Sequence, residues 1–272
     1  TYDSYALYLA IVSNPLTQET DYTYNYSNGK PTQVTDVNNF VYQVSYDGLG
    51  RAKEEKIPGD SSPYTPVTKT LYTYTDTSGA FAIQKTENLD TSTSVLIYHY
   101  LDGLGRLIQT RTEDEASNTY DVKDVVYNNR GLVLKESLPY TLSGSAKTTA
   151  TSTTSLYTSY AYDPLERVTG ITNAIGTITN TYDRWKTTIT DLRGKTKSLY
   201  VDAYNNLIQV DETNSGNTYT TTYEYNGNNK LTKITDALSN VRNFTYDGLG
   251  RRLTAQDLHA SADSNFGSWS YT

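Results

Sequence analysis

The sequence offers few groups suited to chemistry, beginning with two histidines in 272 residues, His99 and His259. A Ser-His-Asp triad needs one imidazole held between a nucleophile and a carboxylate. Neither histidine has neighbours that suggest such a triad, and both read as structural or surface residues. Carboxylates are plentiful, with 30 Asp and Glu, and two facing one bond would do general acid–base work. The aspartates, however, recur at turn-like places, where a short side chain bonds its own backbone. Cysteine is absent, which removes thiol nucleophiles, disulfides and thiolate metal sites. "DEASNTYD" at 114–121 has oxygen donors for calcium but lacks the spacing of an EF-hand loop. "GLG" lacks the Lys-Ser/Thr and the following helix of a phosphate loop. "NYS" at 25–27 and "NFT" at 243–245 are formal glycosylation sequons. No catalytic, cofactor-binding or metal-binding residue is assigned, and no cofactor is expected.

The elements that would position such groups are repeated. Asp-Gly-Leu-Gly-Arg occurs at 47–51, 102–106 and 247–251. Aligned on its first residue, similar units start at Ser27, Asp47, Asp76, Asp102, Asn128, Asp163, Asp183, Asp202, Asn226 and Asp247. Their spacing runs from 19 residues (183 to 202) to 35 (128 to 163). Repetition on this scale marks a repeat architecture, and it distributes every candidate group over ten places.

Each unit opens with aromatic-x-Tyr, as at Tyr160 and Tyr162, Tyr223 and Tyr225, Phe244 and Tyr246, and Trp269 and Tyr271. Residues two apart in a strand share one face of the sheet. An Asx turn follows, then a strand such as "RVTGIT", a second turn such as "TDALS", and a Thr-rich strand. This pattern predicts β-hairpin units and about twenty strands. Composition agrees. Tyr accounts for 27 residues against 4 Phe and 2 Trp, and a tyrosine buries its ring while the hydroxyl reaches water. The hydrophobic share is 36%, below the about 45–50% of an average globular domain. The net charge of -7 lacks the basic footprint of a nucleic-acid binder. No apolar run approaches the roughly 18 residues of a membrane helix.

Tyr-Asp-x-x-Gly-Arg followed by a short strand and a Thr-Asp turn resembles the YD repeat of the Rhs family. "YDGLGR" at 46–51 and 246–251 matches it outright, and "LDGLGR" at 101–106 differs only in the Tyr. The resemblance covers about residues 22–272. It implies an all-β array of about ten hairpin repeats in a long curved antiparallel sheet, part of a hollow spiral shell. Such shells occur in Rhs proteins and in the B and C components of insecticidal toxin complexes, where they surround a C-terminal toxin polypeptide; teneurins and wall-associated proteins are similar. The motif residues are then scaffold: Tyr46, Tyr162, Tyr225 and Tyr246 as sheet-face rings, and Asp47, Asp102, Asp163 and Asp247 as turn formers. Gly50, Gly105 and Gly250 relieve the backbone with one shared conformation, and Arg51, Arg106 and Arg251 lie beside the neighbouring turn. The Asp-Pro-x-Gly-Leu core of the family's autoproteolytic segment is absent. Asp163-Pro164 continues Leu-Glu-Arg, and no catalytic residue is carried over.

Several units depart from the pattern. Leu101, Val201 and Thr75 hold the Tyr place, where a bulge or register change is expected. The unit at Asp183 runs short and has no Gly in its first turn. Inserts at 57–67 and 141–155 read as exposed loops. The expected organisation is one array over 1–272, an internal fragment of a larger protein, with 1–21 a degenerate first unit. The expected role is a non-catalytic shell segment of a secreted or cell-surface bacterial protein. Its partners would be the rest of its own shell, an enclosed toxin polypeptide and a delivery component, without nucleic-acid or membrane contact. The alternative is a surface or wall-associated protein binding carbohydrate or another cell; an enzyme is the third reading.

Overall fold

The computed structural model describes residues 1–60, 64–77, 80–90, 92–150 and 156–271. These residues form 24 strands, all pairings between them antiparallel, and contain no α-helix. The chain divides into two compact units, Thr1–Val126 with Glu136–Thr153, and Tyr127–Lys135 with Thr154–Thr272.

In the first unit the strands are β1 (Ile11–Ser13), β2 (Glu19–Asn25), β3 (Lys30–Thr35), β4 (Val41–Tyr46) and β5 (Ala52–Ile57). They continue as β6 (Val67–Thr77), β7 (Ala80–Asn88), β8 (Ser94–Leu101), β9 (Leu107–Glu113) and β10 (Thr119–Tyr127). Each pairs with the next. After β11 (Val133–Ser137), β12 (Tyr140–Ser143) pairs with β10. The second unit runs β13 (Tyr157–Tyr162), β14 (Val168–Thr172), β15 (Thr177–Asp183), β16 (Lys186–Thr190), β17 (Thr196–Val201) and β18 (Leu207–Asn214). It continues β19 (Asn217–Tyr225), β20 (Leu231–Thr235), β21 (Asn240–Tyr246) and β22 (Arg252–Gln256), ending with β23 (His259–Ala260) and β24 (Ser268–Ser270). From β13 to β22 each strand again pairs with its successor.

Thr, Tyr and Val alternating along these strands build faces of period two. β15 alternates exposed and half-buried positions along its whole length, and β10 alternates exposed Asp121 and Lys123 with buried Tyr120, Val122 and Asp124. Elsewhere full burial is confined to scattered residues such as Tyr157, Phe244 and Ala255, and the tyrosine rings are mostly half-buried.

Three expectations are revised. A register shift occurs at Leu101 and Val201, but also at Tyr46, Tyr162, Tyr225 and Tyr246. The bulge is therefore the rule of the repeat. Thr75 and Tyr182 depart from it, pairing with Ala82 and Thr187 in the unbroken β6–β7 and β15–β16 ladders. The short unit at Asp183 closes a two-residue turn, with Asp183 opposite Lys186 and Arg184 at φ 52°. Within 141–155, Tyr140–Ser143 forms β12 and residues 144–148 are gripped by buried side chains described below, so this part is not a free loop. Residues 151–155 of that insert, and 61–63 of the insert at 57–67, lie outside the described residues.

Candidate functional site

The turns show how little sequence the repeat requires. Asp47 Oδ1 accepts hydrogen bonds from the Leu49 and Arg51 amides, both at 2.9 Å. The Asp47 amide donates to the Arg51 carbonyl and the Gly50 amide to the Asp47 carbonyl, again at 2.9 Å. Gly50 closes the loop at φ 75°. This is a type I turn followed by a left-handed residue and a bulge, a geometry that glycine adopts without steric cost. Gly105 and Gly250 take φ 77° and 79°, so the three share one conformation.

Both turns of the unit are built alike. Asp36, Asp102, Asn128, Asp163, Asp191, Asp202, Asn226, Asp236 and Asp247 each accept the same pair of amides through Oδ1. The fourth place is left-handed even without glycine, as at Asn39, Glu166, Asn205, Asn229 and Ser239. Asn14 repeats the device within the first twenty residues, accepting from Leu16 and Gln18 with Thr17 at φ 60°.

The arginine of the motif turns first to its own aspartate. Nε of Arg51, Arg106, Arg167 and Arg251 lies 2.7, 2.8, 2.7 and 2.6 Å from Oδ2 of Asp47, Asp102, Asp163 and Asp247. These contacts depress the carboxylates. Asp47 and Asp102 are held below the usual carboxylate range foremost by the amides of Arg51 and Arg106, and Asp247 by the Arg251 side chain. Arg51 also reaches the next unit, placing its guanidinium 4.0 Å from the Tyr74 ring centroid and 2.8 Å from Asp76. Arg167 caps Tyr182 at 4.2 Å in the same way.

The motif tyrosines reach backward. Tyr46, Tyr162, Tyr225 and Tyr246 donate their hydroxyls to the carbonyls of Pro31, Val133, Leu207 and Leu231 at 2.7, 2.8, 3.0 and 2.8 Å. Each acceptor directly follows the preceding unit's turn. Tyr74 and Tyr182 do the same to Ala52 and Val168. At Tyr74 and Tyr182 neighbouring units are thus latched twice, by a cation on a ring and by a hydroxyl on a carbonyl.

A second feature escaped the sequence reading. On one face of β8, β9, β10 and β12 lies a buried polar cluster. Arg111 and Asp124 are 0% exposed and Gln109 2%. Gln109 Nε2 donates to Asp124 Oδ1 at 2.8 Å, Tyr140 donates to Asp124 Oδ2 at 2.7 Å, and Arg111 Nε donates to Gln109 Oε1 at 3.1 Å. The Asp124 amide donates to Ser137 Oγ at 2.8 Å. Burial raises the nearby Tyr100 and Tyr120 hydroxyl pKa values. In sequence, Asp124 shares the period-two face of Tyr120 and Val122, which was the available cue; Gln109 and Arg111 gave none.

The histidines stand apart from this cluster. His99 is half-buried on β8, where burial, aided by the Lys85 charge, holds its imidazole below the ordinary value. His259 stacks on Phe266 with centroids 3.6 Å apart. Among the described residues no three His, Cys, Asp or Glu side chains group as a metal site would require.

The family model described as RHS Repeat matches residues 201–241 and 225–258, the stretch that carries the turns at Asp202, Asn226, Asp236 and Asp247. Residues 201–258 of this chain therefore carry RHS repeats. No curated protein matches it by sequence. Among solved structures the chain is similar to TcdB2-TccC3, with a TM-score of 0.71 and 14% identity over 98% of this chain and 19% of that one. It is also similar to TcdB2-TccC3-Cdc42, with a TM-score of 0.73 and 13% identity, and to TcdB2-TccC3 without its hypervariable C-terminal region, at 0.73 and 12%. These matches cover 98% of this chain and 22% and 21% of the others, so the chain spans about a fifth of their length. At such identities the likeness is one of fold.

Proposed function

We propose that this RHS-repeat array is a wall segment of an encapsulating shell in a large secreted toxin, and that the shell sequesters a C-terminal toxin polypeptide. The observation that carries the reading is the fold likeness to TcdB2-TccC3 over 98% of the chain. The latches support it, because units tied only to their neighbours form a surface that extends without a deep core. The motif residues Tyr46, Asp47, Gly50, Arg51, Asp102, Gly105, Arg106, Tyr162, Asp163, Tyr225, Tyr246, Asp247, Gly250 and Arg251 would shape the wall rather than carry chemistry. The partners would be the remaining repeats, the enclosed polypeptide and a delivery component, and the setting extracellular.

The test is limited proteolysis of the parent protein. A polypeptide enclosed by the repeats survives protease at concentrations that digest it when expressed alone. Equal digestion in both forms would favour repeats that act as an outward recognition surface instead.

A further inference from the structure

Residues 144–148 form a strap held by side chains. Arg111 donates to the Gly144 carbonyl and Tyr100 to the Ser145 carbonyl. Gln109 clasps one residue from both sides, its Nε2 donating to the Thr148 carbonyl at 3.3 Å and its Oε1 accepting from the Thr148 amide at 3.1 Å. The strap side chain in these contacts is Thr148, whose Oγ1 lies 2.8 Å from Arg111 Nη2 and 3.3 Å from Gln109 Nε2. The strap joins no strand, and the Gly144 amide bonds the Asn118 carbonyl at 2.9 Å. Beside it, Ala146 and Lys147 border a cavity of about 270 Å³ together with Gln84, Tyr98 and Tyr100.

This is how a site grips a peptide mainly by its backbone, here one that bends at residues 144–146 with Gly144 at φ 83°. Four backbone groups are read, and the side chains at 146 and 147 have open space beside them. Gln109 itself is fixed from below by Asp124 at 2.8 Å. Arg111 is wholly buried, and a buried cation needs oxygens around it; here it donates to Gln109 Oε1, the Gly144 carbonyl and Thr148 Oγ1, all neutral. A small anion would satisfy Arg111 but not the donor–acceptor pair of Gln109, which matches the N–H and C=O of one peptide residue.

We propose that Tyr100, Gln109 and Arg111 form a binding site for a bent polypeptide segment, reading its backbone and a hydroxyl residue at the last place, and that the strap occupies it in cis. The site stands independently of the wall role, and its failure would leave that role untouched.

The test uses the full 272-residue chain carrying Lys147→Pro and Thr148→Pro, which removes the Thr148 amide and hydroxyl and ejects the strap. The probe is a fluorescein-labelled peptide Gly-Ser-Ala-Lys-Thr-Thr, read by anisotropy, beside a peptide that keeps the fifth-place Thr but alters the other side chains. Both are expected to bind the double variant saturably. Binding to the unaltered chain should be weaker by at least about a hundredfold, because the tethered strap competes at high effective concentration. Adding Gln109→Ala to the double variant should weaken binding about tenfold, and millimolar inorganic phosphate should not compete. Absence of binding by a variant with an intact β spectrum overturns the proposal. So does binding indifferent to Gln109→Ala, or displacement by phosphate. Should the double variant not fold, amide exchange on the unaltered chain decides. Exchange at Thr148 while Val122 stays protected supports a separable strap; exchange of both only on global opening refutes it.

Discussion

Gly103 and Gly105 sit two residues apart in one turn, and a Cβ at either position meets nothing within 4 Å. Packing therefore cannot distinguish them. Their backbones do, because Gly105 lies at φ 77° while Gly103 is outside the left-handed region. Alanine at either position restricts the unfolded chain and so stabilises by about 0.4–1 kcal/mol. At Gly105 it must also enter the left-handed region, which costs about 1–2 kcal/mol. Gly103→Ala is thus expected to stabilise by about 0.5 kcal/mol and Gly105→Ala to destabilise by up to about 1.5 kcal/mol. The unfolded-state contribution cancels in the comparison, so the gap between the two variants is the backbone strain itself, about 1–2 kcal/mol. Urea unfolding followed by circular dichroism measures it as a separation of midpoints at unchanged slope. Equal effects, or a larger loss at Gly103, would refute the turn geometry as the reason for the repeated glycine.

The same strain should be relieved by Glu166→Gly, since Glu166 is exposed at φ 65°; a rise of up to about 1 kcal/mol in unfolding free energy is expected. Tyr225→Phe removes the 3.0 Å hydroxyl bond to Leu207 and should cost about 0.5–1.5 kcal/mol, with Tyr225→Ala adding roughly 1.5 kcal/mol for its half-buried ring. Tyr140→Phe withdraws a donor from the wholly buried Asp124 and should cost about 1.5–3 kcal/mol, read from the same urea curves. Acid should destabilise the array: the native carboxyls of Asp47, Asp102 and Asp247 are depressed, so their contribution is complete above the unfolded value of about 3.9 and fades as pH falls through the native values. Replacing all three by Asn keeps the Oδ1 acceptors and should flatten the fall in thermal midpoint below about pH 4.

What could be read from the sequence was what closes within a few residues. The turn at Asp47 needs an acceptor at its first place and a left-handed residue at its fourth, and Asp-Gly-Leu-Gly-Arg states both. Where Asn or Ser takes the fourth place, as at Asn205 or Ser239, the turn persists but the text fades, which is why the two turns of each unit looked different. The latches were half legible. The arginine was expected beside its neighbour, but its first bond is to its own aspartate, an i to i+4 contact that local spacing permits. The aromatic pairs placed the rings on one sheet face but not the hydroxyls, which Tyr46 and Tyr225 use on carbonyls 15 and 18 residues back. The cluster around Arg111 was hidden by distance. Gln109 meets Thr148 across 39 residues, through a segment whose Ser/Thr composition reads as a loop.

The turn's economy bears on function. Its geometry fixes the first and fourth places and leaves the third free, yet Leu49, Leu104, Leu165 and Leu249 occupy it at 73–82% exposure. A residue so exposed contributes little to its own turn. The units are held instead by the backward hydroxyl and, at Arg51 and Arg167, by the arginine, contacts between consecutive repeats that are blind to what the tips carry. An array built this way tolerates changes at the tips and inserts between strands without losing its strand order, and damage to one latch should stay with the two units it joins. In the proposed wall, continuity would depend on short, repeated, local bonds, while the chemistry of the tips could vary from one repeat to the next.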